Sequence, residues 1–254
     1  MTTQPSVVVA ENAEFARVAA EEILQEIETA VELKGRCSIA LTGGSTPEPV
    51  YRELARPAMA ERLPWGRLDV YFSDERCVPP DHPDSNYRMA WESLLHGSPL
   101  EPEQIHRMKG ERLDHDAAAA EYESILPPRM DVLLLGMGVE GHTASMFPGS
   151  PALDERTRLV VAARSPEPPE WRITFTPPAI EKAGTVMVLV AGCRKAPAVA
   201  RAIRGSYDPI SVPVQLALRG VWLLDRDAAS EIEDVVPMLR RERKQMQMGM
   251  MNEE

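Results

Sequence analysis

The sequence of 254 residues contains only three cysteines, Cys37, Cys77 and Cys193. Their odd number and the lack of a C-x-x-C pair argue against a disulfide framework and against a zinc cluster. The histidines also form neither H-E-x-x-H nor another compact ligand set. We therefore expect free thiols in a reducing cytoplasm, and neither a metal nor another cofactor.

Long apolar stretches are absent as well. No segment approaches the roughly 18 consecutive apolar residues of a membrane-spanning helix. The opening residues, MTTQPSVVVAENAEF, lack the basic region and the apolar core of a signal peptide. These features predict a soluble protein that is neither exported nor bound to a membrane.

Positive charge is in deficit, with 28 Lys and Arg residues against 39 Asp and Glu residues and a net charge of −11. A protein that binds nucleic acid or an anionic membrane through its overall charge needs the opposite balance. We therefore expect no nucleic acid partner. Any anionic ligand must be held by a local cluster of positive groups.

The chain does contain enough apolar sequence, 44% of its residues, for a sizeable core. Its length suits one large domain or two small ones. No internal repeat is visible, and the Pro-rich stretch at residues 165–171 is too short to link two domains. We predict a single α/β domain over residues 1–230, followed by a charged, methionine-rich and flexible tail over residues 231–254, and we expect a monomer or a weak homodimer.

Short apolar runs of strand length alternate with helix-like segments. The strand-like runs are CSIAL (37–41), DVYFS (69–73), DVLLL (131–135), RLVVAA (158–163), RITFT (172–176), TVMVLVAG (185–192) and GVWLLD (220–225). Several lack polar alternation, which is typical of strands buried on both faces. Together with the alternating order, this predicts a doubly wound, mostly parallel, Rossmann-like sheet with helices on both faces.

Three helices have a recognisable pattern or recognisable ends. Residues 11–33 carry apolar side chains at spacings of three and four, as an amphipathic helix does. Pro47 suits the first turn of a second helix. Asp84 or Ser85 can cap a third helix, which Gly97 ends.

In an open α/β sheet, ligands bind beyond the carboxyl ends of the strands, so the loops that follow strands are candidate sites. After CSIAL comes TGGSTPEP, where Gly43 and Gly44 permit close backbone approach and Ser45 and Thr46 offer hydroxyl groups. Free N–H groups at the start of the following helix favour an anion. The loop is either a phosphate cradle or an ordinary tight turn. It is not a Walker loop, because G-x-x-x-x-G-K-[ST] is absent.

After DVLLL comes GMGVEGHTASMFPGSP, whose glycines formally match the dinucleotide pattern G-x-G-x-x-G. We reject a dinucleotide site, because Pro148 and Pro151 interrupt the long helix that follows in such sites. The loop instead presents Glu140 and His142, a carboxylate beside the side chain that most often serves as a general base. His142 is therefore a candidate base, with a surface or structural histidine as the alternative.

Charged residues accompany three other strand-like runs. Asp74 and Arg76 come directly after DVYFS, and Arg172 begins RITFT. Lys195 follows TVMVLVAG, at the point where a helix should start. Each by itself is typical of a solvated surface. Together the cations supply the local positive groups that an acidic protein needs to hold an anionic substrate.

In this order and spacing, TGGSTPEPVYREL, YFSDERCVPPDHPDSNYRM, DVLLLGMGVEGHTASMFPGS, RITFTPP and GCRKAPA resemble the 6-phosphogluconolactonase family of the oxidative pentose phosphate pathway. The resemblance covers about residues 5–228. It implies a fold similar to that of glucosamine-6-phosphate deaminase and of the ribose-5-phosphate isomerase and coenzyme A transferase group. One position differs, since the family usually has Asp where this chain has the longer Glu140.

The resemblance also implies roles for the candidate residues. The expected reaction is hydrolysis of a phosphorylated sugar lactone, 6-phospho-D-glucono-1,5-lactone, to 6-phospho-D-gluconate. His142 would activate the attacking water, while the TGGST loop, Arg172 and Lys195 would surround the substrate phosphate. Asp74 and Arg76 would line the sugar end of the pocket. Arg76 or backbone N–H groups of the glycine loops would stabilise the oxyanion, a choice that the sequence leaves open.

Direct attack by water is favoured over an acyl-enzyme. No G-x-S-x-G elbow is present, and Ser145 and Ser150 have no evident partner in the sequence. Glu140 is expected to orient His142, as the third group of a hydrolase triad does. The alternative for Glu140 is a hydrogen bond to the backbone of its own loop.

Two other functions fit the sequence less well. Glucosamine-6-phosphate deaminase has a Glu five residues after the histidine, and here that position is Phe147. A non-catalytic sugar-phosphate sensor of a bacterial regulator needs a DNA-binding helix-turn-helix, and neither the acidic first 36 residues nor the short tail supplies one.

Overall fold

The computed structural model describes residues 4–239. Its strands are β1 (Ser6–Ala10), β2 (Cys37–Leu41), β3 (Leu68–Phe72), β4 (Asp74–Arg76), β5 (Val132–Gly136), β6 (Val160–Arg164), β7 (Trp171–Phe175), β8 (Thr185–Val190) and β9 (Val221–Asp225). Its α-helices are α1 (Phe15–Lys34), α2 (Pro47–Leu54), α3 (Pro57–Ala60), α4 (Asn86–Ala90), α5 (His115–Ser124), α6 (Pro177–Lys182), α7 (Ala196–Arg204) and α8 (Arg226–Ala229).

Six strands form one parallel sheet in the order β1-β9-β8-β5-β2-β3. Successive side chains of these strands enter two different hydrophobic cores. In β2, Ala40 packs into one core, while Ile39 and Leu41 pack into the other. Helices α1 and α2 cover one face, and α5, α7 and α8 cover the opposite face. The predicted doubly wound, mostly parallel sheet with helices on both faces is confirmed.

Two of the predicted strand-like runs lie outside that sheet. β6 and β7 pair antiparallel, and β7 also pairs antiparallel with the short β4, which makes a second sheet of three strands. The connection between β6 and β7 is too short for a crossover helix, so the chain returns as a hairpin. The charged segment that forms β4 was predicted as a loop, and β1 was not predicted.

The predicted starts of the second and third helices agree with the structure, but the third is α-helical only to Ala90 and continues as a π-helix over Trp91–Leu95. α2 begins at Pro47. Ser85 caps α4, because its Oγ accepts a hydrogen bond from the backbone N–H of Arg88 at 3.1 Å. Within residues 4–239, none of the helices combines the length and the apolar character needed to cross a membrane.

The packed core continues beyond residue 230, where we placed the end of the α/β domain. Ile232, Val236 and Leu239 are buried and belong to the same core as α7 and α8. Their spacing of four and three residues places them on one side of a helical turn. The predicted boundary is therefore too early by at least nine residues. The rest of the predicted tail, residues 240–254, lies outside the described residues.

Candidate active site

Four loops meet at the carboxyl ends of the parallel strands and enclose a cavity of about 280 Å³. They follow β2, β3, β5 and β8, and β2 lies directly beside β5 in the sheet. This is the crevice where an open α/β sheet binds ligands. The predicted residues that line it are Gly43, Gly44, Ser45, Thr46, Asp74, Arg76, Glu140, His142 and Lys195. Arg172 is the predicted site residue that does not line the cavity.

The loop after β2 has backbone N–H groups without an acceptor within residues 4–239, which is what a phosphate cradle requires. The Tyr51 hydroxyl anchors its start, donating to the Thr42 carbonyl and accepting from the Thr42 N–H, both at 2.9 Å. Gly44 then turns the chain with φ of +104°. Within the described part of the chain, the backbone N–H groups of residues 43–46 have no acceptor. They lie just before α2, whose N-terminus also favours negative charge.

Lys195 places a cation beside this cradle. Asp225 fixes the preceding turn, since its carboxylate accepts the Gly192 N–H at 2.9 Å. The Lys195 Nζ then lies 3.4 Å from Thr46 Oγ1. Burial lowers the pKa of Lys195, an effect that the nearby Asp225 and Glu140 carboxylates oppose. A bound anion would add to the charge compensation that these two carboxylates give the half-buried ammonium.

The loop after β5 pairs His142 with Glu140. His142 Nδ1 lies 2.6 Å from Glu140 Oε1. An ionised carboxylate can only accept, so Nδ1 carries the shared proton. The hydrogen bond from His142 lowers the pKa of Glu140. Gly138 makes the pairing possible, because a Cβ atom at that residue would lie 2.1 Å from His142 Nδ1. The longer Glu therefore reaches the histidine at the position where the family usually has Asp.

A ring packs against the histidine where the deaminase motif has its glutamate. The centroids of the Phe147 and His142 rings are 4.4 Å apart. The structure thus supplies an apolar contact, and not a second carboxylate, on this side of His142.

Asp74 is buried at the base of the cavity. Its Oδ2 accepts a hydrogen bond from Ser145 Oγ at 2.7 Å. Asn86 Nδ2 donates to the Asp74 carbonyl at 2.9 Å and to its Oδ1 at 3.3 Å. The sequence showed no evident partner for Ser145, but in the structure its hydroxyl pairs with Asp74, which is distant in the chain. The backbone N–H of Ser145 also donates to Thr174 Oγ1 at 3.0 Å.

Glu75 stabilises the backbone around Arg76, which lines the cavity. Its buried carboxylate accepts the backbone N–H groups of Asn86 and Tyr87 at 2.7 and 2.8 Å. Burial raises the pKa of Glu75, although these donors act in the opposite direction. Arg76 in turn donates to the Asp84 carbonyl at 2.6 Å. Glu75 is therefore a structural carboxylate beside the site.

Arg172 lies next to the cavity without lining it. It is the register partner of Arg76 in the antiparallel pairing of β4 with β7. Its buried guanidinium donates to the Pro169 carbonyl and lies 3.4 Å from Ser165 Oγ. Burial and the charge of Arg76 lower the pKa of Arg172. Contact of Arg172 with a phosphate remains a prediction.

Two further residues with a charged or amide side chain line the cavity and were missed in the sequence. Asn86 stands in the segment DSNYRM, where it reads as an ordinary residue of the first helical turn. Glu167 comes from the Pro-rich stretch, which the β6–β7 hairpin carries to the cavity. No local pattern signals either residue, because both positions depend on the second sheet.

The structure offers no metal site in the part of the chain that it describes. No group of three His, Cys, Asp or Glu side chains comes together within residues 4–239. Cys37, Cys77 and Cys193 are all free.

Comparison with known proteins identifies the family. Residues 10–223 match the family model described as glucosamine-6-phosphate isomerases/6-phosphogluconolactonase. A 6-phosphogluconolactonase of Mycobacterium tuberculosis is 42% identical, over 84% of this chain and 92% of its own length. One from Nostoc sp. is 41% identical, over 83% of this chain and 90% of its own.

A solved structure agrees with the sequence relatives. The 6-phosphogluconolactonase of Trypanosoma brucei superposes with a TM-score of 0.78 at 29% identity, covering 91% of this chain and 99% of that one. The match therefore covers most of both chains. This chain belongs to the glucosamine-6-phosphate isomerase/6-phosphogluconolactonase family.

Proposed function

We propose that this protein hydrolyses 6-phospho-D-glucono-1,5-lactone to 6-phospho-D-gluconate by attack of a water molecule that His142 activates. One observation carries the proposal: a single cavity joins an anion cradle, residues 43–46 with Lys195, to the His142–Glu140 pair. The relatives named 6-phosphogluconolactonase support the same reaction.

The histidine pair suits a proton transfer in two stages. Because Nδ1 is engaged by Glu140, Nε2 is the nitrogen that can take a proton from water as its oxygen attacks the lactone carbonyl carbon. The bond between that carbon and the ring oxygen then breaks, and Nε2 returns the proton to the departing oxygen. The new carboxylic acid ionises, so that each turnover releases one proton to the solvent.

The remaining residues hold the substrate. The free N–H groups of residues 43–46 and the Lys195 ammonium bind the phosphate. Asp74 accepts hydrogen bonds from sugar hydroxyl groups. The oxyanion that forms during attack can be stabilised by the Arg76 guanidinium or by N–H groups of the His142 loop, since Arg76 and residues of that loop both line the cavity.

Lactone hydrolysis fits the site better than the two alternatives. A deaminase needs the acid/base carboxylate that Phe147 replaces. A sensor would need no general base, whereas the paired His142 and Glu140 are arranged as one.

The test is a proton-release assay on freshly generated 6-phosphogluconolactone, corrected for spontaneous hydrolysis. We expect a turnover that His142→Ala lowers about 10²–10⁴-fold. Ammonia release from glucosamine 6-phosphate would instead support the deaminase. Calorimetric binding of 6-phosphogluconate without any hydrolysis would support the sensor.

A further inference from the structure

The side-chain amide of Asn86 is buried, but only one of its two ends forms hydrogen bonds. It is 2% exposed and lies between Asp74 and the cradle at residues 43–46. Its Nδ2 donates twice to Asp74, but its Oδ1 is buried and has no hydrogen-bond partner. A buried acceptor without a partner lowers stability. A structural side chain would be expected to satisfy both ends of its amide.

The unpartnered end of the amide touches the cradle. A Cβ atom at residue 43 would lie 1.8 Å from Asn86 Oδ1 and 2.1 Å from its Cγ. Only the absence of a side chain at Gly43 therefore lets the amide lie against the loop. The φ angle of Gly43 is not in the left-handed region, so backbone conformation does not require glycine there.

The backbone beneath Asn86 is held firmly. Its N–H and that of Tyr87 donate to the buried Glu75 carboxylate at 2.7 and 2.8 Å. The Asn86 amide thus projects from a fixed base, with one end bonded to Asp74 and the other packed on Gly43.

We propose that Asn86 is a positioning residue that sets the spacing between the phosphate cradle and the Asp74 carboxylate. A substrate anchored by its phosphate would then present its lactone carbonyl at the correct distance from His142. This inference rests on the proposed function and adds to it a residue that couples phosphate binding to the reacting end of the sugar.

Ser145 provides a matched control, because it donates to the same Asp74 carboxylate without touching the cradle. In Asn86→Ala we expect kcat/KM for the phosphorylated lactone to fall about tenfold or more, with a much smaller loss for unphosphorylated δ-gluconolactone. In Ser145→Ala, which disturbs Asp74 alone, we expect both lactones to lose the same factor.

Asn86→Asp tests the hydrogen bonds to Asp74 in a side chain of the same shape. Its ionised carboxylate would face the oxygens of Asp74, so the loss at neutral pH should exceed that of Asn86→Ala. Protonation of the new carboxyl restores a donor. The activity of Asn86→Asp relative to wild type should therefore rise as the pH falls, whereas that of Asn86→Ala should not.

A double-mutant cycle with Gly43 tests the packing contact. Gly43→Ala should lower both the melting temperature and kcat/KM, because its methyl group overlaps the Asn86 amide. Asn86→Ala removes that obstacle, so Gly43→Ala/Asn86→Ala should recover part of both losses relative to Gly43→Ala. Equal losses of both lactones in Asn86→Ala, or fully additive effects in the cycle, would overturn the inference.

The wild-type protein separates the two proposals. Absence of lactone hydrolysis by the wild type overturns the proposed function and the positioning role of Asn86 with it. An active wild type with an additive cycle overturns the inference about Asn86 alone.

Discussion

Gly44 and Gly138, one from each glycine-rich loop of the cavity, are needed for different reasons. A Cβ atom at Gly44 would meet nothing within 4 Å, and the residue is needed for its φ of +104°. A Cβ atom at Gly138 would instead collide with the His142 and Glu140 side chains. The first loop exposes backbone N–H groups, and the second makes room for reactive side chains. Under the proposed function, the glycine in the first loop therefore serves binding and the glycine in the second serves the chemistry.

The largest expected effect separates chemistry from folding. His142→Ala should lower kcat about 10²–10⁴-fold, because it removes the general base. Its melting temperature should stay near that of the wild type, since the side chain is partly exposed on a loop. The assay is proton release from fresh lactone, with His96→Ala as the control, because His96 is exposed and does not line the cavity. Near-normal turnover would remove His142 from the mechanism.

The next effect concerns binding alone. Lys195→Met should raise KM for the phosphorylated lactone about ten- to hundredfold, the usual loss for one charge-assisted contact. KM for unphosphorylated δ-gluconolactone should change little. Arg172→Met should also raise KM for the phosphorylated lactone, but by a smaller factor, because Arg172 donates to a backbone carbonyl and does not line the cavity. If either substitution changes KM for both lactones by the same factor, the substituted residue does not bind the phosphate.

A third prediction tests whether the His142–Glu140 pair needs the space that the missing side chain of Gly138 leaves. Gly138→Ala should lower kcat about tenfold or more by displacing the His142–Glu140 pair, with little effect on KM. Gly66→Ala is the control, since a Cβ atom there meets nothing within 4 Å. If KM changes and kcat does not, the division between the two loops is wrong.

The smallest effects come from Glu140. Its carboxylate, 2.6 Å from His142 Nδ1, fixes the tautomer and the orientation of the ring. Glu140→Gln should therefore lower kcat, because the amide no longer holds the ring as the carboxylate does. Glu140→Asp, which restores the family's usual carboxylate, should change kcat only modestly. An unchanged kcat in Glu140→Gln, with a lowered melting temperature, would favour a purely structural role.

The same carboxylate predicts a weak dependence of stability on pH. The pKa of Glu140 is lowered in the folded protein, so its contribution to stability is present above about 4.5 and is lost as the pH falls through the folded-state value. The difference in melting temperature between wild type and Glu140→Gln should shrink over that range. The difference should be small at any pH, because the side chain is 41% exposed.

Local sequence patterns predicted the parallel sheet and most of the cavity. The runs that form β2, β5 and β8 are apolar on both faces, so their burial and their place in the sheet follow from composition and order. Residues directly after such strands must gather at one edge, which is why the cradle, His142 and Lys195 were found. The second sheet was missed, because pairing of β4 with β7 depends on contacts that no local pattern encodes.

The sequence by itself determined which side chains stand at the carboxyl ends of the parallel strands, because strand burial and loop position are local properties. Only the tertiary structure decided how those side chains are oriented. It placed Ser145 and Asn86 on Asp74, packed Phe147 on His142, and turned Arg172 away from the cavity. These contacts join segments from different sheets and loops, and they are set by strand pairing and close packing, which act only once the chain has folded.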